Sequence, residues 1–103
     1  MLEAFNLHGE TAIVTGANRG LGRTFALALS EAGANVVVSA RSINDAKKVA
    51  NEIQERGGNA AAIKTDVTIK ADLKSLRDFA ISKFGTIDVL VNNAGIGYFG
   101  AIE

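Results

Sequence analysis

The chain contains no cysteine, and its 103 residues include a single histidine and a single tyrosine. Without cysteine there is no disulfide framework and no thiolate metal site, which suits a reducing compartment and sets the expectation of a cytoplasmic location. The one histidine, His8, lies in a polar leader, and a lone imidazole makes a poor metal site, so His8 is read as solvated surface and no metal is expected. Net charge is also missing, with 11 acidic against 11 strongly basic residues. A neutral chain is not drawn to nucleic acid or to an anionic membrane, so neither is expected as a partner. No run reaches the ~20 apolar residues of a membrane span. The stretch from Met1 to Glu10 has no apolar segment of the kind a secretory signal needs. Repeats, low-complexity tracts and linkers are absent as well. What is present is a 48% hydrophobic, 21% charged sequence, one ordinary globular domain's worth of chain.

Two residue periods alternate along it. Thr11–Thr15, Asn35–Ser39, Ala60–Lys64 and Val89–Asn92 are short, apolar and mostly β-branched, as strands buried on both faces should be. Helical patterns fill the gaps. The first places Leu21, Phe25, Ala28, Leu29 and Ala32 on one face, with Gly33 just past its end. The second opens at Ser42 with Asp45 three residues on, resembling a capping box, and buries Ile43, Ala46, Val49, Ala50 and Ile53 before Gly57-Gly58 stops it. The third follows Thr68, turns Ile69, Leu73, Leu76, Ala80 and Phe84 inward, and ends at Gly85. This order, β-α-β-α-β-α-β with short connections, predicts an α/β fold with a doubly wound parallel sheet of order 3-2-1-4. Such sheets usually run to six strands. Four strands and an end at Glu103 suggest the N-terminal piece of something longer, with Val89, Leu90 and Val91 at an open edge.

Chemistry gathers where the first strand ends. Thr11–Thr15 runs into Gly16-Ala17-Asn18-Arg19-Gly20-Leu21-Gly22 and then into a helix. A strand, a glycine turn and a helix start in succession can cradle a phosphate, because the helix N-terminus presents unpaired N–H donors and a partial positive charge. Gly16 would turn the chain off the strand, Gly20 would let backbone N–H groups approach a pyrophosphate, and Gly22 would let the helix pack close to the sheet. An ordinary tight turn fits the same spacing. After the second strand the sequence reads Ala40-Arg41-Ser42, where sites for an unphosphorylated ribose place an acid. Arginine cannot accept from a 2′-hydroxyl, but it can grip a 2′-phosphate through charge-assisted bonds. The alternative is a surface arginine whose charge opposes the dipole of the helix behind it. Asp66-Val67 after the third strand can border an adenine, or be a plain pre-helix loop. Asn92-Asn93-Ala94-Gly95 ends the fourth strand at the edge where open α/β sheets bind ligands, and its amides can also satisfy backbone groups there.

Taken together, Thr15-Gly16-x-x-x-Gly20-x-Gly22, Asp66-Val67 and Asn92-Asn93-Ala94-Gly95 resemble the short-chain dehydrogenase/reductase family over essentially the whole chain. The resemblance implies a Rossmann-type domain over residues 1–103 and hydride transfer between NAD(P) and a ketone or secondary alcohol. It implies that Gly16, Asn18, Arg19, Gly20 and Leu21 line the phosphates and adenosine ribose, and that Arg41 marks NADP over NAD. Asp66 and Val67 would flank the adenine. Asn93, Ala94 and Gly95 would approach the nicotinamide-side ribose, with Asn92 bracing the sheet. Sugar-alcohol dehydrogenases and 3-oxoacyl-carrier-protein reductases look about equally similar, and a homo-oligomer is implied for a full-length member.

The sequence departs from the family in its proton-transfer residues. Members carry a serine and a Tyr-x-x-x-Lys. Here the one tyrosine, Tyr98, has Ile102 four residues on, and no lysine follows it. The chain is therefore expected to hold the cofactor half of an oxidoreductase and to be inactive alone, with no catalytic residue of its own. A non-catalytic dinucleotide-binding or sensing module is the alternative. A methyltransferase would want an acid where Ala40 stands.

Overall fold

The computed structural model describes residues 6–18, 20–92 and, as backbone, 95–97. Arg19, Asn93, Ala94, Tyr98 and Ile102 lie outside them. Strand β1 (Thr11–Thr15) leads to α1 (Gly20–Glu31), β2 (Asn35–Ala40), α2 (Ile43–Glu55), β3 (Asn59–Lys64), α3 (Lys70–Phe84), β4 (Val89–Asn92) and β5 (Gly95–Gly97). The sheet order is β3-β2-β1-β4-β5. The first four strands are parallel, as the alternation predicts, and β1 lies at the centre with every residue buried.

Both faces of the sheet are covered, so β2 keeps Val36, Val37 and Val38 all fully buried in an unbroken run. Val14, Val36, Val38 and Ala40 pack with Ala26 of α1 and with Ala46, Val49, Ala50 and Ile53 of α2. Ile13 and Val37 turn the other way, onto Leu76 and Ala80 of α3. This division of helices between the faces is what right-handed crossovers require. Below the sheet, Thr11 N–H donates to the Asp88 carboxylate at 2.8 Å and Asp88 N–H returns to the Thr11 carbonyl at 2.9 Å, pinning the start of β4 to β1.

Four expectations change. The strand β3 is half-buried rather than buried on both faces, because it forms the outer edge of the sheet. Leu21, expected on the inner face of α1, is exposed, and Ala26 takes the core position instead. Ile69 and Leu73, expected inward on α3, are also exposed. Among the described residues α3 is the one helix on its face of the sheet, so no second helix lies beside it to bury these side chains, and Leu76, Ala80 and the half-buried Phe84 carry its packing. Finally, β4 is not an open edge: β5 pairs with it antiparallel, Asn92 opposite Gly95 and Leu90 opposite Gly97.

Candidate functional site

The parallel register lines up the strand ends. Thr15 lies beside Ser39 on one side and Asn92 on the other, and Ala40 beside Lys64, so four connections leave the sheet along one edge. The turn after β1 is fastened there by the Ala17 N–H, which donates to the Ser39 carbonyl at 3.2 Å. Gly16 and Gly20 have φ of 63° and 54°, the left-handed region that side chains with a Cβ rarely adopt. A Cβ at Gly20 would meet nothing within 4 Å, so the space in front of α1 is open. At Gly22 a Cβ would stand 2.4 Å from the Gly16 carbonyl oxygen. Gly22 therefore serves a close approach, as expected, but the partner is the turn itself. No acidic residue occupies the first turn of α1, which leaves its positive end uncompensated.

A cleft of about 550 Å³ runs along this edge, lined by Thr15, Gly16, Asn18, Ala40, Arg41, Ser42, Asp45, Thr65, Val67 and Asn92. It brings together Gly16, Asn18, Arg41 and Val67 of the expected site. Gly20 and the exposed Leu21 open α1 next to it. Gly95 enters only as the backbone partner of Asn92, while Arg19, Asn93 and Ala94 fall outside the described residues.

Arg41 and Asp66 are linked. The Arg41 side chain is 84% exposed, and its guanidinium stands 3.8 Å from the Asp66 carboxylate. Asp66 thus supplies the counter-charge that an arginine ahead of a helix N-terminus lacks. The other Asp66 oxygen accepts from the Thr68 hydroxyl at 2.6 Å and the Thr68 N–H at 3.0 Å. These bonds hold its carboxyl below the ordinary carboxylate range, with a smaller contribution from Arg41 against the cost of desolvation. The Asp66 N–H in turn donates to the Asp72 carboxylate at 2.9 Å.

Sequence reasoning missed Asp45 and Thr65 as lining residues. Ser42 caps α2 as its spacing predicts, its hydroxyl accepting from the Asp45 N–H at 3.3 Å. The Asp45 carboxylate, however, accepts from the Asn18 amide at 3.4 Å, across the cleft mouth. The capping pattern marks Asp45, but nothing in it points to Asn18. Thr15 and Thr65 are buried, and their hydroxyls, like those of Thr11 and Ser39 outside the lining, have no hydrogen-bond partner among the described residues. The glycine-framed opening at the start of α1 is what fits an anionic ligand. Among the described residues no group of His, Asp or Glu is placed to hold a metal, and no helix is long and apolar enough to cross a membrane.

Comparison with known proteins agrees with this geometry. The short chain dehydrogenase family model matches residues 10–103. The 7α-hydroxysteroid dehydrogenase of Escherichia coli K12 is 50% identical over 91 residues, covering 88% of this chain and 36% of that protein. Versicolorin reductase of Emericella nidulans is 42% identical over 100 residues, 96% of this chain and 38% of the relative. Among solved structures, 7α-hydroxysteroid dehydrogenase complexed with NADH and 7-oxo glycochenodeoxycholic acid superposes with a TM-score of 0.82 at 47% identity, covering 84% of this chain and 34% of that one. The chain thus spans little more than a third of the length of these relatives. Family match, sheet order and glycine turn converge, and the chain belongs to the short-chain dehydrogenase family.

Proposed function

We propose that this chain is the cofactor-binding portion, residues 1–103, of an oxidoreductase that moves hydride between NADP(H) and a ketone or secondary alcohol. The observation that carries the cofactor preference is Arg41 at the cleft, next to a strand that ends in Ala40 rather than an acid. The open face of Gly20 suits a pyrophosphate. When bound, the nicotinamide would supply the hydride to a ketone or accept it from an alcohol. The chain's own part is to seat the phosphates on the start of α1 and to counter a 2′-phosphate with Arg41. The relatives named above, a dehydrogenase and a reductase, support this class of chemistry. The relative complexed with NADH makes the choice between the two cofactors the point to test.

Titrating the intact protein with NADPH and with NADH, followed by nicotinamide fluorescence, tests the reading. Tighter binding of NADPH is expected, and an equal or reversed order would overturn the preference. Failure to bind either nucleotide would overturn the site.

A further inference from the structure

Ala40 leaves the end of β2 without an acceptor for a ribose hydroxyl, yet the cleft that Arg41 lines also contains a carboxylate. It comes from another element, because the first turn of α2 brings Asp45 into the lining. Two contacts fix its place. Its backbone N–H is held by the Ser42 hydroxyl, and its carboxylate by the Asn18 amide. Asn18 and Asp45 also line a second hollow, of about 360 Å³, between α1 and α2. Both linings share these two residues, and Asp45 is only partly buried.

We propose that Asp45 is a second specificity-determining residue for the nucleotide, set against Arg41. The inference rests on the dinucleotide reading of the cleft. A carboxylate accepts a hydrogen bond from an unphosphorylated ribose and repels a 2′-phosphate, whereas Arg41 attracts the phosphate. The two charges lie on either side of Ser42, the N-cap of α2, and both line the cleft. Arg41 is itself drawn toward Asp66. The cation that recruits a 2′-phosphate therefore works between two acids. The resulting preference for NADPH is smaller than an arginine alone would produce, and NADH remains a usable ligand. At its N-terminal position Asp45 also favours the helix dipole, which explains a carboxylate there without reference to any ligand. The Asn18 contact is what ties it to the cleft.

The test is Asp45→Asn in the intact protein, titrated with NADPH, NADH, and the nicotinamide-free pair adenosine 2′,5′-bisphosphate and adenosine 5′-monophosphate. Removing one like charge at the edge of a solvated site should raise the NADPH-to-NADH affinity ratio roughly three- to tenfold. The 2′-phosphorylated adenosine should show the same gain, and the gain should shrink at high salt. Asp45→Glu keeps both charge and capping preference, so its ratio should stay near that of the parent. Asp78→Asn, an equal change of net charge on the exposed face of α3, should leave the ratio unmoved. If the parent binds both nucleotides and Asp45→Asn leaves the ratio unchanged, the inference fails while the site stands. If Asp45→Asn does not fold, Asp45→Ser, which also removes the charge at this helix-start position, decides: a raised ratio supports the role and an unchanged one overturns it. If the parent binds no adenine nucleotide, the dinucleotide reading itself falls.

Discussion

Arg41 carries the cofactor preference, and its exposure sets the size of the effect. Losing charge-assisted hydrogen bonds costs roughly 1.5–3 kcal/mol. Because the Arg41 side chain is 84% exposed and already shares its charge with Asp66, the lower end applies. Arg41→Ala should weaken NADPH binding about tenfold, at ~1.4 kcal/mol per decade, and change NADH much less. Equal losses for both nucleotides would show that Arg41 does not see the 2′-phosphate. At Asp66 the prediction concerns protonation. Its folded-state pKa is lowered, first by the Thr68 hydroxyl and then by the Thr68 N–H. The unfolded chain therefore takes up this proton first as the pH falls. The stabilisation is present above the unfolded carboxylate pKa and is lost in acid, below about pH 4. In Thr68→Val, carbon NMR of the Asp66 carboxyl should find its midpoint moved upward toward the ordinary range. An unmoved midpoint would mean that the hydroxyl bond does not form in solution.

At the scale of elements, the turn between β1 and α1 is the most demanding segment. Gly20 combines a positive φ with open space ahead of it. Gly20→Val should abolish nucleotide binding, since a branched side chain would fill the cradle and strain the backbone. Circular dichroism should still show the helices, because the space is open and the core lies elsewhere. Binding that survives would restrict the glycine to a turning role. The helix α2 is anchored by Ile53, fully buried among residues of the first core. Ile53→Ala should cost about 2–5 kcal/mol, read as a lower urea midpoint with an unchanged slope. A loss under ~1 kcal/mol would mean that the space collapses around the smaller side chain.

At the scale of the molecule, the two faces of the sheet are unequally covered. Among the described residues two helices shield one face and α3 alone lies on the other, where Ile87 and Leu90 are only partly buried. Ile69, Leu73 and Ile81 add exposed apolar surface on α3 itself. A domain is stable by only ~5–15 kcal/mol when whole, and each large apolar side chain left in water forgoes roughly 1.5–3 kcal/mol. Residues 1–103 produced alone should therefore self-associate or bind a hydrophobic dye, and should not oxidise alcohols. Light scattering and a thermal melt read this directly. A monomer with a cooperative transition would show that one helix suffices on that face, and alcohol oxidation by the purified segment would overturn the reading of Tyr98.

Much of this was decided locally, and so was legible in the sequence. Buried parallel strands announce themselves as β-branched runs, and β1 and β2 lie where those runs are. Glycines that end helices or turn off strands do so through φ angles of their own, and Gly16, Gly33 and Gly85 take the positive values their positions implied. The capping bond of Ser42 spans three residues and needs no tertiary contact. Other features depend on what lies opposite. The spacing of Ile69 and Leu73 matches that of Leu76 and Ala80, yet they stay outside, because among the described residues no second helix lies beside α3 to cover them. The pairing of β5 with β4 is a backbone contact that a glycine-rich stretch does not advertise. At the site, sequence order placed Arg41 and Asp66 separately, and only the parallel register of β2 and β3 brought them within 3.8 Å. Asp45 reaches Asn18 across 27 positions because α1 and α2 share one face of the sheet. Periodicity and turn chemistry determined which elements form, while register and crossover hand decided which charges meet at the cleft, because those depend on distances between segments that no local pattern encodes.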